Sequence, residues 1–463
     1  MSKGILGSIA ALLVSSGLIS AQVPVYNGPP LDGDQAPPPL NHMEGPGDFH
    51  PGHADMGRPG GPGGPGDFQQ GGVPGGWPPF WIRGEWLYMQ IKNQPLPVPL
   101  VTQSGAESFG IIGNPSTQVI FGGNDVYMHH FTGGRLTAGL TICCEPNFGI
   151  EASAFTTEKE TVHFSAASDC NGNPVLARPF FDVCNGVENA IAISFPGAFA
   201  GSVTATVASQ FWGGDFSFTL GTMRNTWWSA TLLAGFKYLE FDEQIQISQF
   251  SAVLPGGLAE VDGFPVLAPT GIAIVDQFDT RNQFYGGLIG GRLEAHYGRL
   301  TFEVTEKFGI GATHQVVGIQ GSTTAVNPPV TTPGSVLSNT FPSLFPPVIT
   351  VGNGMFSFPG GVLATETNSG QHVTTKFSLA SDTNVSLRLK LTKSISIIGG
   401  YNFIWLKDVV RPGNEIDRNV NQATIPSSPA FSTFVVFPRQ PAFSFREGNI
   451  WAHGTNLGLQ IDF

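Results

Sequence analysis

Side chains able to do chemistry are scarce in this sequence and confined to an unusual setting. Charged residues make up 12% of it, against roughly 25% in ordinary soluble domains. Several of them fall inside runs that otherwise alternate apolar and small polar residues: Arg83 and Glu85, Arg135, Glu151, Arg292 and Glu294, Glu303 and Lys307, Arg388 and Lys390. Gathered on one face of a sheet, such a set either lines water as a selectivity filter or pairs across the space it encloses. Asp125, His129 and His130 form a second cluster, with the residue types of an acid/base pair at a surface site, although adjacent histidines in a loop are more often simply solvated. No GxSxG or HExxH motif accompanies them, and Gly286-Gly287 and Gly290-Gly291 lie in a strand-like run without the following helix that phosphate binding needs. No enzymatic activity, cofactor or metal is expected. His42, His50 and His53 lack the ligand spacing of a structural metal site.

Four cysteines complete the inventory. In an exported chain a Cys170–Cys184 bridge would close a ring of roughly 15 residues and stabilise by about 3 kcal/mol in the chain-entropy account, and that pairing is the one expected. Cys143 and Cys144 are adjacent in a short turn, with no CxxC spacing to suggest redox chemistry.

The elements that would position the charges are strands. Alternation with period two puts successive side chains on opposite faces. In this way Leu136, Ala138, Leu140 and Ile142 oppose Arg135, Thr137, Gly139 and Thr141. Leu232, Ala234 and Phe236 share a face opposite Lys237, Phe302 and Val304 oppose Glu303, Thr305 and Lys307, and Val385, Leu387 and Leu389 oppose Ser386, Arg388 and Lys390. The pattern predicts ten strands, near 80–92, 132–142, 148–164, 206–220, 226–242, 280–296, 299–318, 373–392, 395–410 and 449–463. Their connections alternate short and long. Twelve strands result if Val261 to Val275 or Ser357 to Thr367 forms a further hairpin. Trp81, Trp86, Tyr88, Trp227, Trp228, Tyr297, Tyr401, Trp405 and Trp451 cluster near strand ends, as interfacial girdles require. Alternation alone does not say whether the apolar faces meet lipid or a dry sandwich core.

Residues 1–21 read as a secretory signal, with Lys3, a short apolar run and Ser20-Ala21 as the cleavage site. Residues 22–79 are a Gly/Pro-rich tract with too few apolar residues to bury a core, expected to be a disordered periplasmic tether. No later stretch is apolar enough for a membrane helix, so membrane residence requires a closed barrel. The net charge of −12 argues against a nucleic-acid partner. Apolar loop segments, Phe341 to Pro347 and Phe431 to Phe445, are expected to pack on one another as a lid, or else to dock other envelope proteins.

Particular runs carry a family likeness. Trp81 to Tyr88 followed by Gln94 to Thr102, Gly133 to Leu136, Gly149 to Phe155, Leu176-Ala177-Arg178-Pro179-Phe180-Phe181, Asn282 to Gly287, Gly400 to Trp405 and Trp451 to Phe463 resemble the beta-barrel porin seven family of bacterial outer-membrane proteins. The likeness covers most of the chain from Trp81 onward and implies an outer-membrane barrel. The terminal aromatic strand is similar to the last strand of bacterial outer-membrane barrels, which makes Phe463 the expected signal to the barrel assembly machinery.

The expectation is therefore an all-β, transmembrane, antiparallel up-and-down barrel over residues 80–463 in the bacterial outer membrane. It would have about ten strands, long outer loops, short periplasmic turns and outer-membrane lipid around it. Porin-like passage of small solutes through a narrow, loop-gated lumen is the expected function. The alternatives are a structural or surface-interaction barrel with a closed lumen, and a secreted β-sandwich binding protein.

Overall fold

The computed structural model describes residues 80–143, 148–326, 355–434 and 436–463, all within the compact unit Gly72–Phe463. The expected signal, the Gly/Pro tract with its three histidines, Cys144 and the segment Phe341 to Pro347 lie outside these residues.

Ten antiparallel strands close into a ring: β1 (Phe80–Ile91), β2 (Phe131–Cys143), β3 (Phe148–Thr157), β4 (Phe199–Arg224), β5 (Trp228–Val253), β6 (Gly271–Tyr297), β7 (Leu300–Val326), β8 (Gly370–Lys390), β9 (Ile395–Val410) and β10 (Glu447–Asp462). Each pairs with its neighbours in sequence, and β1 pairs with β10 to make the seam. At the seam's end the Phe463 N–H donates to the Phe80 carbonyl oxygen at 2.9 Å, and the two rings stack with centroids 5.5 Å apart. The extra hairpins considered from sequence do not enter the ring. Leu258–Val261 pairs only with Phe264–Leu267, and Met355–Pro359 lies along the outer end of β7.

The sense of the alternation is the decisive feature. Leu232, Phe302 and Leu387 are 54%, 48% and 49% exposed on the outer wall, whereas Lys237, Glu303 and Ser386 are 1%, 2% and 3% exposed within. A soluble sandwich would place them the other way round. Two aromatic rows bound the oily band. Trp227 and Tyr297 are exposed at the end with short turns, and at the other end Trp212, Tyr238 and Tyr285 form a row with centroids 5.1 and 5.0 Å apart. About ten residues separate the rows, which at roughly 3.4 Å per residue and a strand tilt near 40° is roughly 25 Å, the height of a lipid-facing belt.

Four strands, β4 to β7, continue well past this band. Their sidedness is conserved but the polarity of each side reverses: within β5 the inward series passes from Lys237 to Leu239, Phe241, Ile245 and Ile247, while the outward series passes from Phe236 and Tyr238 to Asp242, Gln244 and Gln246. Oily outside with polar inside becomes polar outside with oily inside, as water replaces hydrocarbon around the wall. The two regimes meet near Gly286 and Gly311, which are paired across β6 and β7. A Cβ on Gly311 would lie 1.9 Å from the Tyr285 carbonyl oxygen, so only glycine permits this close approach of the two strands.

The apolar interior of the extension is filled by the outer loops. Strands from three of them, Pro99–Ser104 and Gln118–Gly122, Val175–Asp182 and Val187–Ser194, and Asn419–Val420, assemble one five-stranded sheet. Leu96, Leu100, Phe180, Leu363 and Ile416 from the loops share a core with Met89, Phe131, Phe211, Phe241 and Phe284 from the wall. Each such buried side chain stabilises by roughly 1.5–3 kcal/mol. The loops therefore close over the outer end, but not through the segments expected to do so: Phe341 to Pro347 lies outside the described residues, and in Phe431 to Phe445 only Phe443 and Phe445 pack against this core while Phe434 and Phe437 are exposed.

Candidate functional site

Eight charged side chains from seven strands meet inside the barrel at the level of the oily band. Arg83 on β1 donates two 3.2 Å hydrogen bonds to Glu303 on β7. Arg292 on β6 lies 3.7 Å from Glu303 and donates to both oxygens of Glu151 on β3, at 2.8 and 2.7 Å. Lys307 on β7 reaches Glu151 at 3.5 Å and Asp215 on β4 at 2.6 Å. Lys237 on β5 lies 3.8 Å from Asp215 and donates at 2.8 Å to Asp382 on β8. The result is an alternating chain of four cations and four anions, neutral overall and spanning the lumen.

Amides complete it. Gln460 accepts from Arg83 at 3.0 and 3.2 Å and from Arg388 at 3.2 Å. Arg388 also pairs with Glu294 at 2.7 Å. Arg135 donates to Asn402 at 2.6 Å and lies 5.9 Å from the Phe155 ring. Glu85 accepts from Asn456. The remaining space among these groups is about 40 Å³, room for a few waters at most.

Above this layer, buried charges fasten the lid. Arg178, in the loop strand Val175–Asp182, donates at 2.8 Å to Asp276 on β6 and at 3.1 Å to the Leu100 carbonyl. Asp276 also accepts from the backbone N–H groups of Val362, Leu363 and Ala364, the shortest at 2.8 Å. Arg411, just past β9, grips both oxygens of Glu243 on β5 at 2.8 and 2.6 Å and donates to the Asn93 carbonyl at 2.7 Å. The Asn282 side chain exchanges two 2.8 Å hydrogen bonds with the Val410 backbone.

Residues 81–463 match the family model described as "Putative beta barrel porin-7 (BBP7)". The chain belongs to that family. No curated protein matches it. Among solved structures it is similar to a FadL homologue of Pseudomonas aeruginosa, at 9% identity and a TM-score of 0.20 over 84% of this chain and 90% of that one. It is also similar to a porin, at 8% identity and a TM-score of 0.12 over 83% and 100%. Overlaps this low add nothing to the argument; family membership and the ring of ten strands make this a porin-like barrel.

Most of the charges singled out from the sequence of this porin-7 member converge in the lumen, but not all. Lys390 closes β8 and is exposed. Asp215, Lys237 and Asp382 belong to the network but were absent from the predicted set. The alternation around Lys237 already puts it on a polar face, and the parity of β4 and β8 finds the two aspartates once those strands are in register. The predicted Cys170–Cys184 disulfide is corrected: both thiols are free and exposed. Loop strand Val175–Asp182 runs between the two cysteines, and eight residues at about 3.3 Å each hold them well beyond bridging distance. Asp125, His129 and His130 do not converge either. Asp125 is exposed, His129 lies 3.7 Å from Glu160, and His130 stacks on Tyr88 at 4.7 Å.

Proposed function

We propose that this chain is a bacterial outer-membrane barrel whose lumen is closed to solutes and whose lidded outer end serves as a surface scaffold. On this reading residues 1–21 direct export. Phe463, exposed at the seam, is read by the barrel assembly machinery, and Phe434 and Phe437, exposed in the last outer loop, offer contact to other envelope proteins. The observation that carries the reading is the unbroken chain of ion pairs that runs across the lumen from Arg83 through Glu303, Arg292, Glu151, Lys307, Asp215 and Lys237 to Asp382. The test is conductance of the full-length protein in planar bilayers after insertion has been verified. Silence is expected, and discrete conductance steps would overturn the reading.

A second reading, passage through a gated lumen, has one observation in its favour. Replacing buried ion pairs with apolar groups of similar volume is often neutral or stabilising, so eight interlocked charges at membrane depth are not needed for stability alone. They could re-pair with a charged solute once the lid lifts. This reading predicts conductance steps when the lid fastenings are removed in an Asp276→Ala, Glu243→Ala variant. The closed reading predicts silence there too, because the charge layer is intact.

A further inference from the structure

We propose that the outward face of the extended wall binds the sugar head group of an outer-leaflet glycolipid. The proposal rests on the outer-membrane reading above. A groove of about 1080 Å³ lies on that face, comparable to the larger ligand pockets. Its floor is made by Asp242 and Gln244 of β5 and by Asp279, Arg281 and Gln283 of β6, and Lys159 and the segment from Glu366 to Gln371 rise at its sides. These floor residues are the outward series of the extension, so they belong to the exterior of the barrel and not to the lid.

The position of the groove names its occupant. It begins directly above the Trp212, Tyr238, Tyr285 row that ends the oily band, and it is tied to that row: Gln283 Nε2 donates to the Tyr238 hydroxyl at 3.2 Å and to Glu240 at 3.0 Å. A lipid whose acyl chains lie along Phe236, Leu232, Ile289 and Leu293, exposed on the same two strands, would carry its head into the groove. The groove thus continues the lipid-facing surface into the head-group layer.

The chemistry of the groove selects the kind of head. Arg281 is held by Asp242 at 3.0 Å and Glu240 at 3.3 Å, which offsets its charge. With Asp279 and Glu366 added, carboxylates outnumber the cations Lys159 and Arg281, so a bare phosphate would be repelled. What is left is an array of planar carboxylates and amides beside aromatic rings. The carboxylates and amides offer paired acceptors and donors to vicinal hydroxyls, and the aromatic row borders the groove through the Tyr238 hydroxyl on Gln283, which describes a site for a neutral, hydroxyl-rich head.

The test uses the full-length protein in a non-glycosidic detergent, with lipid binding followed by native mass spectrometry. Digalactosyl diacylglycerol should bind at least about tenfold more tightly than phosphatidylglycerol or free digalactose. The double substitution Asp279→Ala, Gln283→Ala should erase about that preference, as expected for two deleted polar partners. Equal binding of phosphatidylglycerol, equal binding of the free sugar, or an unchanged preference in the variant would each overturn the proposal. Heat-modifiable migration of the same samples reports separately on the barrel itself, so failure of the barrel reading is distinguishable from failure of this one.

Discussion

Asp276 shows how much of the lid depends on single atoms. Its two oxygens take Arg178 and three consecutive backbone N–H groups, and both side chains of the ion pair are fully buried. Removing one member of a buried pair strands the other and costs about 3–5 kcal/mol. Asp276→Ala is therefore expected to release the loops around Leu363 and Leu100 to limited proteolysis while the heat-modifiable barrel persists; unchanged cleavage would show that the apolar contacts suffice. Arg178 stood inside a recognisable run, Leu176 to Phe181, but its partner lies 98 residues further on, a pairing that only the closed fold reveals. Glu415 carries a pH response at the same scale. It accepts the Arg446 N–H at 2.9 Å on one oxygen, the other is buried without a partner, and burial pushes the carboxyl up to about 7 against the opposing pull of Arg446. Because the folded form holds its proton longer than the unfolded one, local stability falls as pH rises from the ordinary value of 4.5 to about 7 and is then level. Hydrogen exchange across 411–420 should follow that course, and Glu415→Gln should flatten it.

Strands were the most legible elements in the sequence, and their outer ends the least. The run expected to stop at 242 continues to Val253, and the one expected to begin at 280 begins at Gly271. Period two persists through both, but the reversal of polarity at Tyr238 and Tyr285 leaves neither face continuously apolar, so the apolar series that marks each strand stops at that row while the strand continues. The same reversal makes substitutions on the outer wall depend on depth. Leu232→Arg, midway between the two aromatic rows, should cost about 2–4 kcal/mol in urea unfolding from lipid, and Leu391→Arg at the turn about 0–1 kcal/mol; equal costs would argue against a bilayer around this wall. Gly311→Ala should destabilise as well, since its Cβ would meet the Tyr285 carbonyl oxygen at the place where barrel becomes extension.

At the scale of the molecule, what the sequence conveyed was architecture: ten strands, their order, and the faces that carry charge. It conveyed less about the interior, because whether Arg292 faces water or Glu151 depends on registers between strands far apart in the chain. In the loops, closeness in sequence is not closeness in space: Cys170 and Cys184 lie beyond opposite ends of the strand Val175–Asp182. The account's central claim is that hydrocarbon surrounds the barrel while its centre is sealed by paired charges. Spin labels on single cysteines, in a chain whose four native cysteines are replaced by serine, test both halves at once in lipid bilayers. Labels at Leu232, Phe302 and Leu387 should collide freely with oxygen and not with a water-soluble nickel chelate, and labels at the inward positions Thr137 and Ser386 should be shielded from both. Nickel contact at Thr137 and Ser386 would mean an open aqueous pore, and oxygen-shielded labels at the three outer positions would mean that no lipid surrounds the wall.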